Sequence, residues 1–122
     1  MACHDYGIVL IDFKLSNVVL FYDQIEGVAW RLIDFDSALH VGQDLPSPRE
    51  PIGTLETVAP ELLVGKRFKG QKANVKADSW SYSMVIITIF CNGRSMWDML
   101  GIAGDEDEIW VSIASCNDSL QC

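Results

Sequence analysis

Basic charge and histidine are scarce in this sequence. Nine lysines and arginines face seventeen aspartates and glutamates, a formal net charge of -8, which excludes a general nucleic-acid binder. The two histidines, His4 and His40, stand apart from each other and from Cys3, Cys91, Cys116 and Cys122, and no Cys-x-x-Cys pair occurs. A zinc site is not expected from such spacing. Long apolar runs are missing too. The longest mostly apolar stretch, Met84 to Cys91, is far too short to cross a bilayer, so no membrane partner is expected. At the amino terminus, His4 and Asp5 stand where a signal peptide needs a basic segment followed by an apolar run. The expectation is a cytoplasmic or nuclear protein, not a secreted one, with reduced thiols.

What is present suits one folded domain. The 122 residues are 49% apolar and 10% aromatic, enough for a real core. Five of the nine basic residues, Lys66, Arg67, Lys69, Lys72 and Lys76, crowd into one stretch. A solvated loop is the expected reading, with an anion-binding patch as the alternative. The acidic run Asp105 to Glu108 reads as plain surface.

The tetrapeptide Leu-Ile-Asp-Phe occurs twice, at Leu10–Phe13 and Leu32–Phe35. Between the copies lies a hairpin pattern: an apolar run over Val18–Tyr22, a polar turn Asp23–Gly27, and a second apolar run over Val28–Ile33. Paired strands would bring Asn17 and Asp34 together at the open end, with Asp12 a few residues upstream. Two carboxylates ~6 Å apart at an effective dielectric of ~20 repel by about 3 kcal/mol, so the pair calls for a cation, a shared proton or a lysine between them. Lys14 and Mg²⁺ are the candidates.

A loop of about 20 residues follows, from Asp36 to about Thr57. Pro46, Pro48, Pro51 and Gly53 within it forbid a long helix or a central strand. Its length is itself a functional hint. Pro60–Val64 is expected to begin a short helix with Pro60 in its first turn. The best-marked helix runs from Asp78 to about Cys91, with Asp78 or Ser79 as N-cap and Gly93 as the C′ residue. Trp80, Met84, Ile87 and Phe90 line one side, and Tyr82, Val85, Ile86 and Ile89 the others, so burial all round is expected. Its β-branched run Val85–Ile89 makes a buried strand the competing reading. Past Gly101 an acidic loop and a short apolar piece, Ile109–Ala114, are ambiguous.

Four segments in order resemble eukaryotic protein kinases of the serine/threonine type. Gly7–Asn17 is similar to the catalytic loop His-Arg-Asp-Leu-Lys-x-x-Asn, with Asp12, Lys14 and Asn17 at matching spacing. Arg31–Ala38 resembles the segment around Asp-Phe-Gly. Gly53–Glu61 resembles Gly-Thr-x-x-Tyr-x-Ala-Pro-Glu, the end of an activation segment. Asp78–Ser83 resembles Asp-x-Trp-Ser-x-Gly, the start of the family's central helix. Residues 1–122 then read as a partial protein kinase domain: catalytic loop 7–17, Asp-Phe-Gly-like segment 32–38, activation segment 36–61 and buried helix 78–91. The fold class implied is α+β, mostly helical, a carboxy-terminal-lobe fragment whose small β-hairpin carries the metal and catalytic loops.

The resemblance implies roles residue by residue. Asp12 accepts or orients the substrate hydroxyl, Lys14 neutralises charge on the transferred phosphoryl group, and Asn17 and Asp34 hold Mg²⁺ on the phosphates of ATP. Thr54 bridges Asp12 and Lys14. Glu61 makes a buried ion pair with a later arginine, and Asp78 caps the catalytic-loop backbone. The implied partner is a protein substrate or a protein-binding partner.

Departures from the family pattern shape the expectation. Leu10 and Ile11 replace His-Arg, so no arginine stands beside Asp12 to receive an activation-segment phosphate. Asp36 replaces the glycine of Asp-Phe-Gly, and Ser83 replaces another glycine. Within the 122 residues there is no Gly-rich loop, strand lysine or paired helix glutamate, and the arginine partner of Glu61 is not expected either. The reading is therefore a truncated or degenerate kinase, active in a full-length context, with marginal stability and association through exposed apolar surface. A pseudokinase-like protein-binding module is the alternative. Leu32–Ala38 also resembles the Asp-x-Asp motif of haloacid-dehalogenase-like phosphatases, with Asp34 as nucleophile and Asp36 as general acid.

Overall fold

The computed structural model describes residues 2–102, 107–109 and 111–112. A single-turn helix, α1 (Ala2–Asp5), closes at Gly7, whose N–H donates to the His4 carbonyl at 2.9 Å and whose φ of 71° turns the following chain away from the helix. The chain then enters β1 (Ile8–Val9), which pairs antiparallel with the distant β4 (Leu39–His40), Ile8 opposite His40 and Val9 opposite Leu39. Both strands are two residues long, too short to leave a period-2 signature in the sequence.

The expected hairpin forms within one residue of its expected ends. β2 (Val18–Asp23) pairs with β3 (Gly27–Leu32), the register running from Val18 opposite Leu32 to Asp23 opposite Gly27. Asp23 closes the turn, its Oδ1 accepting the N–H groups of Ile25 and Glu26 at 2.7 and 2.9 Å. These two donors, Glu26 first, hold its carboxyl below the usual value. Val18 and Leu32 at the open end pack on Leu10, Phe13 and Val85. Leu20, Tyr22, Val28 and Trp30 continue that same face into solvent, Trp30 being 69% exposed.

No helix forms between residues 36 and 57, as the prolines require. The loop is instead stitched to the stretch before the long helix. Gly42 N–H donates to the Ala73 carbonyl at 2.9 Å, Ala73 N–H to Gln43 at 2.8 Å, and Leu45 N–H to Gln71 at 2.9 Å. The expected Pro60–Val64 helix is a single 3₁₀ turn, Pro60–Leu62, with Pro60 in its first turn. Glu61 is exposed, where the resemblance implies a buried side chain.

The long helix α2 (Val75–Phe90) begins three residues earlier than its sequence signals suggest. Asn74 is the N-cap, its side chain accepting Lys76 N–H at 2.9 Å, so neither Asp78 nor Ser79 caps it. At the other end Asn92 (φ 57°) turns left-handed before Gly93 (φ 83°), whose N–H returns to the Thr88 carbonyl at 2.8 Å. Gly93 is thus C″ in a Schellman-type closure, one place beyond the expected C′. Burial is confined to Ala77, Asp78, Ser81, Met84 and Val85, with Tyr82, Ile89 and Phe90 exposed. The helix is one-sided, not buried all round.

A further helix, α3 (Met96–Leu100), was not expected. Its start is a capping box between Ser95 and Asp98, and Gly101 ends it at φ 70°. Trp97 on α3 joins Val9, Ile11, Val58, Ala59, Leu62, Leu63, Ala77 and Met84 in one core. Each aliphatic side chain buried there contributes about 2 kcal/mol. The architecture is α+β with two small antiparallel sheets, and turns and loops hold more of the described chain than helices do. No helix among the described residues is long and apolar enough to cross a membrane. Asp105, Glu106, Ile113, Ala114, Cys116 and Cys122 lie outside the described residues.

Candidate active site

After β1 the chain runs through the core with alternate residues inward. Ile11 and Phe13 are buried while Asp12 and Lys14 reach the surface between them. Ile11 holds φ at 66°, and Asp12 N–H donates to the Leu10 carbonyl at 2.8 Å, so a γ-turn centres on a β-branched residue. Such a conformation costs on the order of 1–3 kcal/mol and persists only where surroundings impose it. Asp78 imposes it. Its wholly buried carboxylate accepts Leu10 N–H at Oδ2 (2.7 Å) and Ile11 N–H at Oδ1 (2.9 Å). His4 Nε2 lies 2.8 Å from the same Oδ2. His4, isolated in the sequence, therefore meets a partner 74 residues away, and no local pattern could have revealed it.

Asp12, Lys14 and Thr54 close a triangle. Thr54 Oγ1 donates to Asp12 Oδ1 at 2.6 Å, Lys14 Nζ lies 3.0 Å from Asp12 Oδ2, and Lys14 Nζ donates to Thr54 Oγ1 at 3.0 Å. The side chains of Lys14 and Asp12 remain 29% and 16% accessible, so the pair is placed to meet an incoming molecule. Thr54 is brought here by Gly53, at φ 70°. A Cβ on Gly53 would sit 3.2 Å from both the Ile11 carbonyl oxygen and Val58 Cγ2. Glycine suits both the left-handed backbone and this close approach of loop to loop.

Asn17 is buried, its Nδ2 donating to the Asp12 carbonyl at 3.1 Å. The amide oxygen keeps its acceptor capacity. Ile33 N–H donates to the Asn17 carbonyl at 2.9 Å, extending the hairpin ladder by one rung and setting Asp34 just beyond it. Asp34 is left-handed (φ 65°) with its Oδ1 accepting Asp36 N–H at 3.3 Å. Asp12, Asn17 and Asp34 line one small cavity with Leu10 and Phe13. Asp36 does not share it: with Ser37, Ile11 and Pro46 it lines a separate cavity.

The donor set fits Mg²⁺ of one kind. Among the described residues no three His, Cys, Asp or Glu side chains gather into a metal cage. Asn17 and Asp34 supply two hard oxygen donors beside one cavity, the sparse protein share that Mg²⁺ takes when phosphates and water complete its shell.

Comparison with known proteins points to the same family. The protein kinase domain model matches residues 1–113. The probable serine/threonine-protein kinase fnkE of Dictyostelium discoideum is 31% identical over 106 residues, 83% of this chain and 8% of that protein. The putative protein kinase C delta type homolog of Drosophila melanogaster is 34% identical over 116 residues, covering 94% and 15%. Testis-specific serine/threonine-protein kinase 5 of Mus musculus is 32% identical over 84 residues, covering 69% and 20%. The chain spans a fifth or less of the length of these relatives.

Proposed function

The chain belongs to the protein kinase domain family, and from that premise we propose that it carries the catalytic-loop and metal-binding part of a phosphotransferase moving the γ-phosphoryl of ATP to serine or threonine hydroxyls of proteins. The single observation that carries this reading is the closed Asp12–Thr54–Lys14 triangle beside the cavity of Asn17 and Asp34. Phosphoryl transfer is mostly positioning and charge neutralisation, and this set supplies both.

Asp12 orients the substrate hydroxyl and takes its proton as the new O–P bond forms and the bond from the γ-phosphorus to the bridging oxygen breaks, ADP leaving. Thr54 and Lys14 occupy one position on each carboxylate oxygen, leaving a further lone pair on each for that hydroxyl. Lys14 offers its ammonium to the negative charge on the transferred group. Asn17 and Asp34 would hold Mg²⁺, which when bound supplies charge neutralisation on the ATP phosphates. Gly53 keeps Thr54 in register with Asp12.

The test is transfer of labelled phosphate from ATP to a serine- or threonine-containing protein in the presence of Mg²⁺. Asp12→Asn should reduce it by about 10²- to 10⁴-fold, and Asp34→Asn should raise the Mg²⁺ concentration required. Transfer indifferent to both substitutions would defeat the proposal. A second reading, a protein-binding module without transfer, is favoured by Asp36 in the glycine position and the exposed apolar face of the hairpin. Its mark is partner binding that neither ATP nor Asp12→Asn alters.

A further inference from the structure

Arg67 belongs by sequence to the basic run Lys66–Lys76, yet it is only 4% exposed. Its guanidinium reaches three backbone carbonyls. Nη1 donates to Leu62, and Nη2 donates to both Ser47, at 2.6 Å, and Glu50. A planar fork with five donors suits several fixed acceptors at once, whereas an ammonium would act as a single point charge. Carbonyl dipoles are what offset the desolvation of this buried cation.

The Ser47 and Glu50 carbonyls flank one tight turn, closed by Glu50 N–H donating to Ser47 at 2.9 Å. Gly65 N–H donates to the Pro48 carbonyl at 3.1 Å, so the turn is gripped by Gly65 and Arg67 at three points. Four residues after Glu50 comes Thr54, fastened to Asp12 and Lys14. Ile11, not arginine, precedes Asp12, so no guanidinium stands there to gather a phosphate from this loop.

We infer that Arg67 is the positioning residue of the 36–61 segment: by clamping the Ser47 and Glu50 carbonyls it keeps Thr54 seated against Asp12, and the segment stays ordered without a phosphate. This rests on reading residues 36–61 as the segment that presents a protein substrate.

Amide hydrogen exchange on the full chain tests the clamp without any assay of catalysis. In Arg67→Lys, which keeps the charge and loses the fork, the Glu50 and Gly65 amides should exchange about 10- to 100-fold faster. The Cys91 amide, bonded to Ile87 at the end of α2, should not change. Unchanged exchange at Glu50 and Gly65 overturns the inference. Wild-type protein treated with a phosphatase provides a measurement that no folding defect can obscure. Its exchange at residues 47–57 should match the untreated protein, and loosening there overturns the inference. In peptide phosphorylation, Arg67→Lys should raise KM for the peptide several-fold and leave KM for ATP alone. Exchange that responds while the wild type transfers no phosphate would leave the clamp standing and remove the kinase reading. Active protein with indifferent exchange would do the reverse.

Discussion

The carboxylate of Asp78, in the first turn of α2, accepts the backbone N–H of Ile11 at 2.9 Å across 67 residues of chain. One buried side chain thereby holds the residue before Asp12 in a conformation that isoleucine does not choose. Asp78→Ala leaves Leu10 N–H, Ile11 N–H and His4 without their acceptor, and should destabilise the fold by about 3–5 kcal/mol. Chemical denaturation of the purified variant checks this, with the midpoint moving down and little change in slope.

Gly53→Ala should be harmful for two separate reasons. The left-handed φ disfavours a side chain by about 1 kcal/mol, and the new Cβ meets the Ile11 carbonyl and Val58 at 3.2 Å. The Ile11 oxygen is backbone and yields less readily than a side-chain tip, so the two loops must shift apart by a few tenths of an ångström. A melting temperature lowered by several degrees with loss of phosphate transfer is the expected result.

Thr54→Ser and Thr54→Val separate hydroxyl from shape. Serine preserves the bond to Asp12 and should retain most activity, whereas valine removes both the donor to Asp12 and the acceptor of Lys14. The expected loss for valine is about 10²-fold in kcat, with little change in thermal stability because the pair is partly exposed. Steady-state kinetics on both variants decides it.

Asp98 provides a pH-dependent test of α3. The Ser95 hydroxyl first, and then the Ser95 backbone N–H, hold its carboxyl below the usual 3.8. Because the folded value is the lower one, the stabilisation is present above the ordinary aspartate range and is lost as pH falls through the folded value. Carboxyl titration followed by carbon-13 NMR should show the Asp98 midpoint rising in Ser95→Ala, and the start of α3 fraying in acid. A midpoint that stays put would contradict the capping box.

The apolar face of the hairpin should make itself felt in solution. Leu20, Tyr22, Val28 and Trp30 lie side by side and are each more than half exposed. Environment-sensitive dye should bind, and Trp30→Lys should reduce both the fluorescence and any concentration-dependent light scattering. A hairpin that binds no dye would count against association through this surface.

Local chemistry made the hairpin readable: two short apolar runs, a polar turn ending in glycine, and a register that follows from the two-fold strand period. The Asp12–Lys14–Thr54 grouping was legible only through resemblance to a family, because nothing in the residues around Thr54 says that they meet a loop 40 residues away. The N-cap of α2 was misassigned because Asp78 has a capping side chain but turns it toward β1, leaving Asn74 to cap. Arg67 was hidden for another reason. A cation in a basic run looks the same whether water or carbonyl groups surround it, and only tertiary packing distinguishes the two.

The left-handed turn at Ile11 also sets an order of events. Isoleucine favours extended backbone, so the turn has no local source of stability and waits for a carboxylate made 67 residues later. A growing polypeptide can close the β2–β3 hairpin early, since its strands are neighbours in the chain. It cannot shape the loop that holds Asp12 until Asp78 has been synthesised and α2 has docked. The Asp12–Thr54–Lys14 triangle is thus among the last parts of this chain to form, and a nascent fragment ending before Asp78 should fold its hairpin and lack that triangle.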